Sequence, residues 1–280
     1  MKKEFYSNGK LLITGEYLVL DGAKALALPT KFGQNLIVEK TKNQGIKWIS
    51  YDADGSIWLD FQLSFQDILK KNTLGESESV KNTLIEILHQ GYLLNPDFID
   101  NSEGYHITTQ LTFPRNWGLG TSSTLINNIA QWLEIDAFVL LNNSFGGSGY
   151  DIACAQNDSP ILYHLDNGKP IIETVSFEPQ FAENLHFVYL EKKQSSKASI
   201  VSYYNNKNEA LSDNIITNNK ITSAVLKAKT LQEFAIALEE HEAEMSNILE
   251  MQTIKESLFP DFNGIIKSLG AWGGDFVLAI

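Results

Sequence analysis

Cysteine is almost absent from this chain: Cys154 is the only one among 280 residues. No disulfide can form within the chain, and no group of Cys and His falls at metal-ligand spacing, so a reducing compartment is expected. Positive charge is also scarce. Twenty-two Lys and Arg against 34 Asp and Glu give a formal charge of −12, which argues against nucleic acid or an anionic membrane surface as the main partner. It leaves room for a phosphorylated small molecule, because a few lysines and helix N-termini can focus on one anion in an acidic protein. Long apolar runs are missing too. Lys2 and Lys3 precede LLITGEYLVLDG, but Glu16 and Asp21 interrupt that run too early for a signal-peptide core or a membrane span. A cytoplasmic protein is expected. Neither common nucleotide fingerprint occurs: no lysine follows Gly120 as in GxxxxGK[ST], and no GxGxxG follows the first strand. There is no internal repeat and no low-complexity tract.

What is present is the composition of a folded protein, enough for one large or two modest domains. Short apolar runs, LLITGE, ALALPT and NLIVEK, read as strands, and IKWISYD and SIWLDFQ as a hairpin turning at Asp54 and Gly55. Helical spacing of Val80, Leu84, Ile87 and Leu88 predicts a helix from about Ser77 to Gln90. A second hairpin is expected for ILYHL and PIIETVSF around Asn167 and Gly168. From Leu185 the pattern gives one strand, LHFVYLE, helices near Ser196–Asn205, Asn214–Lys227 and Leu231–Leu249, and a last segment GAWGGDFVLAI. The Asn- and Asp-rich stretch Asn205–Asn219 reads as a solvated turn region. Two α+β halves are expected, residues 1–180 and 181–280.

The most informative stretch is TFPRNWGLGTSSTLINNIAQW, Thr112–Trp132. It follows Tyr105–Phe113, whose alternation reads as a half-buried strand, and leads into an amphipathic helix. Gly118 and Gly120 let backbone approach a ligand with no Cβ in the way, and Thr121, Ser122 and Ser123 put hydroxyls beside helix N-terminal amides. Such an arrangement suits phosphate. A tight turn followed by an ordinary N-cap would use the same residues.

Two further segments keep company with it: SNGKLLITGEYLVLDGAKALALPT from Ser7 and GAWGGDFVLA from Gly270. Together the three resemble the GHMP kinase superfamily, ATP-dependent small-molecule kinases that include galactokinase, homoserine kinase, mevalonate kinase and phosphomevalonate kinase. The first is similar to that family's PGKxxLxGEH segment, the second to its PxxxGLGSS phosphate loop, the third to its C-terminal glycine motif. The resemblance spans nearly the whole chain. It implies an α+β, two-domain GHMP kinase fold, the N-terminal half like ribosomal protein S5 domain 2 and the C-terminal half ferredoxin-like. It also implies ATP and Mg²⁺ as cofactors and a small-molecule substrate; a monomer and a homodimer are both left open.

By the same resemblance, Pro114, Gly118, Leu119, Gly120, Thr121, Ser122 and Ser123 hold the nucleotide, with Ser122 also on the metal. GGSGYDIACAQ is similar to the SGxDNA stretch of mevalonate kinases, which makes Asp151 the catalytic carboxylate and Gly149 a point of close substrate approach. A carboxylate there can orient the acceptor hydroxyl and take its proton; locally, Asp151 would serve equally as an acid at a helix start. Lys10 matches the lysine of the first motif and would stabilise charge on the transferring phosphoryl group. Glu16 matches the GEH glutamate, placed with the substrate. VYLEKKQSSKASIV is similar to the family's TKxPRSTKALV, so Ser195, Ser196 and Lys197 are expected at an anionic acceptor, or else as an N-cap beside solvated lysines.

Departures from the family pattern matter as much. Tyr17 stands where GEH has histidine, a variant associated with phosphomevalonate kinases, and Gln194 replaces the family arginine. Mevalonate kinases carry a metal-binding glutamate about three helical turns before the catalytic aspartate, where this chain has Val139 and Leu140. Asp136 or Glu134 through a shifted helix, phosphates and water alone, or impaired catalysis are the alternatives. GAWGGDF has Trp272 and Asp275 and is one residue shorter than GAGxGGC, and relatives normally continue past the position of Ile280, so a short terminal sheet is expected. The expected activity is transfer of the γ-phosphoryl group of ATP to a hydroxyl of a carboxylate-bearing metabolite, mevalonate first and phosphomevalonate second. A non-catalytic nucleotide or metabolite sensor on this fold is the reading of another class.

Overall fold

The computed structural model describes residues 2–71, 79–192, 196–205, 207, 210–270, 272 and 274–280, with backbone alone for 196–199 and 202. The chain divides into two compact units made of interleaved segments. One holds Met1–Gly9, Thr30–Arg115 and Leu119–Gln156, the other Lys10–Pro29, Asn116–Gly118 and Asn157–Ile280. Strands β1 (Lys2–Leu12) and β2 (Ala25–Thr41) each contribute to both units. The expected separate strands ALALPT and NLIVEK are one continuous β2, passing through Pro29, and the first strand ends at Leu12 rather than running through LLITGE.

In the first unit β2 lies antiparallel to β5 (Gly104–Leu111), β5 parallel to β3 (Gly45–Tyr51), and β3 antiparallel to β4 (Ile57–Leu63). The β3–β4 hairpin turns where expected: Gly55 takes φ +82 and Asp54 accepts from the Ser56 amide and hydroxyl. Helices α1 (Phe65–Leu69), α2 (Val80–Leu94) and α3 (Asp97–Asp100) precede β5, and α4 (Thr121–Leu133), α5 (Ala137–Ser144) and α6 (Tyr150–Ala155) follow it. Helix α2 is capped by Ser79, which accepts from the Asn82 amide; Ser77, the expected start, lies outside the described residues. Its buried stripe of Leu84, Ile87, Leu88 and Gly91 follows helical spacing. Gly91 packs closely on α4: a Cβ would stand 2.6 Å from the end of the Leu133 side chain, which would have to move. Trp132 closes this core, meeting Tyr105 and Phe98 edge-on at 5.0 and 5.3 Å.

In the second unit the start of β2 pairs with β6 (Ile161–Asp166), and β6 with β7 (Lys169–Thr174) across the expected turn, where Asn167 and Gly168 both have positive φ. A three-stranded antiparallel sheet has β10 (Phe276–Ala279) between β8 (His186–Tyr189) and β9 (Ile266–Leu269). Helices α7 (Ser196–Asn205), α8 (Leu211–Lys227), α9 (Leu231–Leu249) and α10 (Ile254–Leu258) complete it. Thr230 and Glu233 form a capping box that fixes the start of α9. The stretch expected as a solvated turn up to Asn219 is instead helical from Leu211. Its asparagines face a backbone that needs them: Asn218 donates to the Lys24 carbonyl at 2.8 Å and Asn219 accepts from the Lys24 amide at 2.7 Å.

Candidate active site

Strand β5 delivers the chain to a buried Phe113, the exposed Pro114, and a single turn at Arg115–Trp117. Gly118 and Gly120 then take φ +68 and +95, conformations that other residues adopt at a cost. Gly120 stands at the N-terminus of α4, and no described side chain caps that end. The first-turn amides therefore point out of the helix without a protein acceptor from a cap. Leu119 is buried, anchoring the loop between its two glycines.

The three hydroxyls of the loop are not equivalent. Ser122 is exposed and Thr121 half-buried. Ser123 is buried and donates back to the Gly120 carbonyl at 2.9 Å, as Thr124 does at 3.1 Å while also reaching Gln34. Ser123 thus shapes the loop, and Ser122 is the hydroxyl presented outward. An uncapped helix end, two left-handed glycines and one exposed hydroxyl fit a phosphate group.

Beneath the loop lies a buried polar network that the sequence did not announce. Ser7 donates to Asn128 and accepts from Asn127, both at 2.8 Å; Asn128 donates to the Gln34 carbonyl at 2.9 Å; Gln156 donates to Asn127 at 3.0 Å. These bonds tie β1, β2 and α4 to the end of α6, at whose start Asp151 sits. Asp151 is half-buried and accepts from the Ile152 amide at 3.0 Å. Gly149 precedes it at φ +86, and open space surrounds Gly146 and Gly147.

In the second unit the three sequence motifs converge on Gly118. Lys10 donates from Nζ to the Gly118 carbonyl at 2.8 Å and also lies beside Gly270, 3.9 Å from where a Cβ would stand. The Asp275 carboxylate packs on Gly118 so closely that a Cβ there would fall 2.2 Å from Oδ2. Trp117, Tyr189 and Phe276 pack around the same turn, with ring centroids 5.2–6.1 Å apart, and the Tyr189 hydroxyl donates to the Asn116 carbonyl at 3.2 Å. Burial, then the Asp275 charge, raises the Tyr189 pKa. Lys10 belongs to the second unit and Asp151 to the first.

Glu16 has a different setting from the one expected of a residue touching a metabolite. It is 1% exposed. Lys267, wholly buried, donates to Glu16 and stands 3.5 Å from Glu242, which in turn accepts from the Ser268 amide and hydroxyl at 3.1 and 2.6 Å. His241 Nε2 accepts from the Gly15 amide at 3.0 Å and lies 3.3 Å from Glu16. Burial, then Lys267, pushes His241 well below its usual pKa, so the ring is neutral. Burial raises Glu16 to about 7, against the lowering pull of Lys267. Burial also pulls on Lys267, but Glu16 and Glu242 outweigh it and its pKa ends above the ordinary value. One cation serves two carboxylates here, Glu16 being the nearer.

The two acids named as alternatives for the metal have protein partners of their own. Asp136 accepts from the Phe138 and Val139 amides as the N-cap of α5. Glu134 ends α4, about 20 Å from Gly120 at 1.5 Å per residue, and pairs with Lys3 at 3.5 Å. Among the described residues no three His, Cys, Asp or Glu side chains cluster as metal ligands. Ser195 lies outside the described residues; Ser196 and Lys197 begin α7, where the backbone alone is described. Trp272 and Tyr17, both departures from the family pattern, meet each other: the Trp272 amide donates to the Tyr17 hydroxyl at 3.0 Å within one core cluster.

No protein-family model and no curated sequence matches the chain. Solved structures do. Mevalonate kinase from Methanococcus jannaschii aligns with a TM-score of 0.68 and 16% identity over 100% of this chain and 91% of that one. Streptococcus pneumoniae phosphomevalonate kinase, solved with phosphomevalonate and AMPPNP, gives 0.71 and 16% over 99% and 91%. Lactococcus lactis galactokinase, complexed with galactose, gives 0.70 and 13% over 99% and 85%. These neighbours are all GHMP superfamily members, and the chain has their mixed α+β fold. No helix among the described residues is long and apolar enough to cross a membrane.

Proposed function

We propose that the protein is an ATP-dependent small-molecule kinase that phosphorylates a hydroxyl of a carboxylate-bearing metabolite, with mevalonate the first candidate. The observation that carries this reading is the uncapped N-terminus of α4 behind Gly118 and Gly120, with Lys10 anchored on the Gly118 carbonyl. Helix N-terminal amides favour negative charge, as an ammonium does, and phosphoryl transfer is catalysed chiefly by positioning and charge stabilisation. Magnesium, when bound, would offset charge on the β- and γ-phosphates. Ser122 presents the hydroxyl that would hold it, and Thr121 borders the same turn. Lys10 stabilises charge on the transferring group; Asp151 orients the acceptor hydroxyl and takes its proton. Ser195, Ser196 and Lys197, with Gly149, are proposed for the acceptor on the sequence pattern. A cytoplasmic setting is proposed from the charge and the single cysteine.

An ADP-release assay with mevalonate, phosphomevalonate, homoserine and galactose tests the reading. Turnover with mevalonate is expected; turnover with phosphomevalonate alone would move the acceptor to the phosphorylated homologue, which Tyr17 favours. Nucleotide binding without turnover on any acceptor would leave a sensor. In D151N, kcat should fall at least about 100-fold, the scale of general base catalysis, while nucleotide affinity stays. Full turnover in D151N would reject the assignment.

A further inference from the structure

We propose that β7 is the contact edge of a homodimer, pairing antiparallel with β7 of a second copy of this chain about a two-fold axis at Ile171. None of the residues involved belongs to the proposed catalytic apparatus, so this stands apart from the kinase reading. Strand β7 ends the larger sheet, bonded to β6 on one side and to no described strand on the other. A bond from the Val175 amide to the Pro160 carbonyl, 2.9 Å, fixes which residues look outward. By the alternation of an antiparallel ladder, Lys169, Ile171 and Glu173 turn their backbone groups to β6, and Pro170, Ile172 and Thr174 turn theirs to the open edge. All of the strand but Pro170 is exposed. Ile171 and Ile172 are 42% and 37% exposed, one on each face. An edge kept for water carries charge at such positions; adjacent isoleucines suit it to another strand.

The charges say which strand. Lys169 and Glu173 share the Ile171 face, one on either side of it, and neither makes an ion pair among the described residues. Asp166, opposite Lys169 on β6, accepts from Asn167 at 2.9 Å. Pairing about Ile171 sets Lys169 of each copy against Glu173 of the other, with the two Ile171 side chains between these pairs. Moving the axis by one residue sets each Ile171 against a charge. Moving it by two sets Glu173 against Glu173 or Lys169 against Lys169. The strand is therefore self-complementary in one register, as a two-fold contact requires. Pro170 has no amide to donate and so denies the edge to strands that need one there. In the Ile171 register the Ile172 amide of each copy still reaches the Pro170 carbonyl of the other, and the proline forfeits one bond per copy.

The test is sedimentation equilibrium of the full chain, in which wild type should dimerise reversibly. K169E sets acid against acid and E173K ammonium against ammonium, and each should weaken the dimer about tenfold or more. Mixed in equal amounts the two variants should recover it, because every acid of one then faces an ammonium of the other. That recovery also shows both variants to be folded. Oxidation of I171C should give a disulfide-linked dimer, since Cα atoms on the axis would lie about 4.5 Å apart. I172C should not, its counterpart being a diagonal neighbour at about 7–8 Å. The native cysteine, Cys154, is buried and does not compete. Wild type that stays monomeric up to about 1 mM would overturn the proposal and make Pro170 and Lys169 a guard against pairing. A dimer unmoved by K169E and E173K would overturn it by placing the contact elsewhere, and so would two weakened variants that do not recover on mixing.

Discussion

Glu16 shows how far a motif position can be removed from solvent while keeping its identity. Its carboxyl sits with Lys267, Glu242 and His241 in an interior where one ammonium faces two acids. Because burial raises Glu16 from 4.5 to about 7, the folded protein retains a proton that the unfolded chain releases. The stability gained this way is complete below the unfolded value and is lost as pH rises through about 7. Urea unfolding between pH 5 and pH 8 should therefore show wild type losing stability relative to E16Q, by up to about 3 kcal/mol. Lys267 keeps Glu242 as a partner in that variant. Identical pH slopes for the two proteins would mean that the carboxyl titrates normally. That Glu16 would be an interior ion-pair residue was not legible in GEY: its partner lies 251 positions away, and the sequence around it is merely apolar.

At the scale of elements, the connection between α4 and α6 depends on amides rather than on apolar contact alone. Asn127 bridges Ser7 and Gln156 from inside the helix, 1% exposed. N127A should leave the Ser7 hydroxyl and the Gln156 amide without these partners and cost about 1–3 kcal/mol in urea unfolding. If the network also aims Asp151, kcat should drop in N127A with nucleotide affinity retained; a change in stability alone would confine the network to support. Elements whose signals are local are legible in the sequence. Both hairpins were legible because Asp54-Gly55 and Asn167-Gly168 carry their turn chemistry within two residues, and the loop at Gly118–Gly120 because left-handed backbone selects glycine. Elements that depend on distant partners are not. Asn218 and Asn219 look like turn residues until Lys24, 194 and 195 positions earlier, supplies the backbone groups they satisfy. Likewise ALALPT and NLIVEK form one strand because β6 and β5 pair with its successive halves.

For the whole molecule, a nucleotide that binds only the folded chain must stabilise it. AMPPNP with Mg²⁺ at a hundredfold excess over its Kd should add about 2.7 kcal/mol, read as a rise of several degrees in a thermal melt; no rise at any concentration would remove the nucleotide site. Cutting the chain near residue 156 or 180 should not yield separate domains. The second unit needs Lys10–Pro29, which such a cut leaves on the other fragment. The interleaving also sets a schedule for synthesis. At about 5–20 residues per second, a ribosome that has made Glu16 takes roughly 13 to 50 s to make Lys267, 251 residues later. Until then Glu16 lacks the ammonium it meets in the folded chain, and an ionised acid between LLIT and LVL is the kind of charge that interrupts an aggregation-prone apolar run.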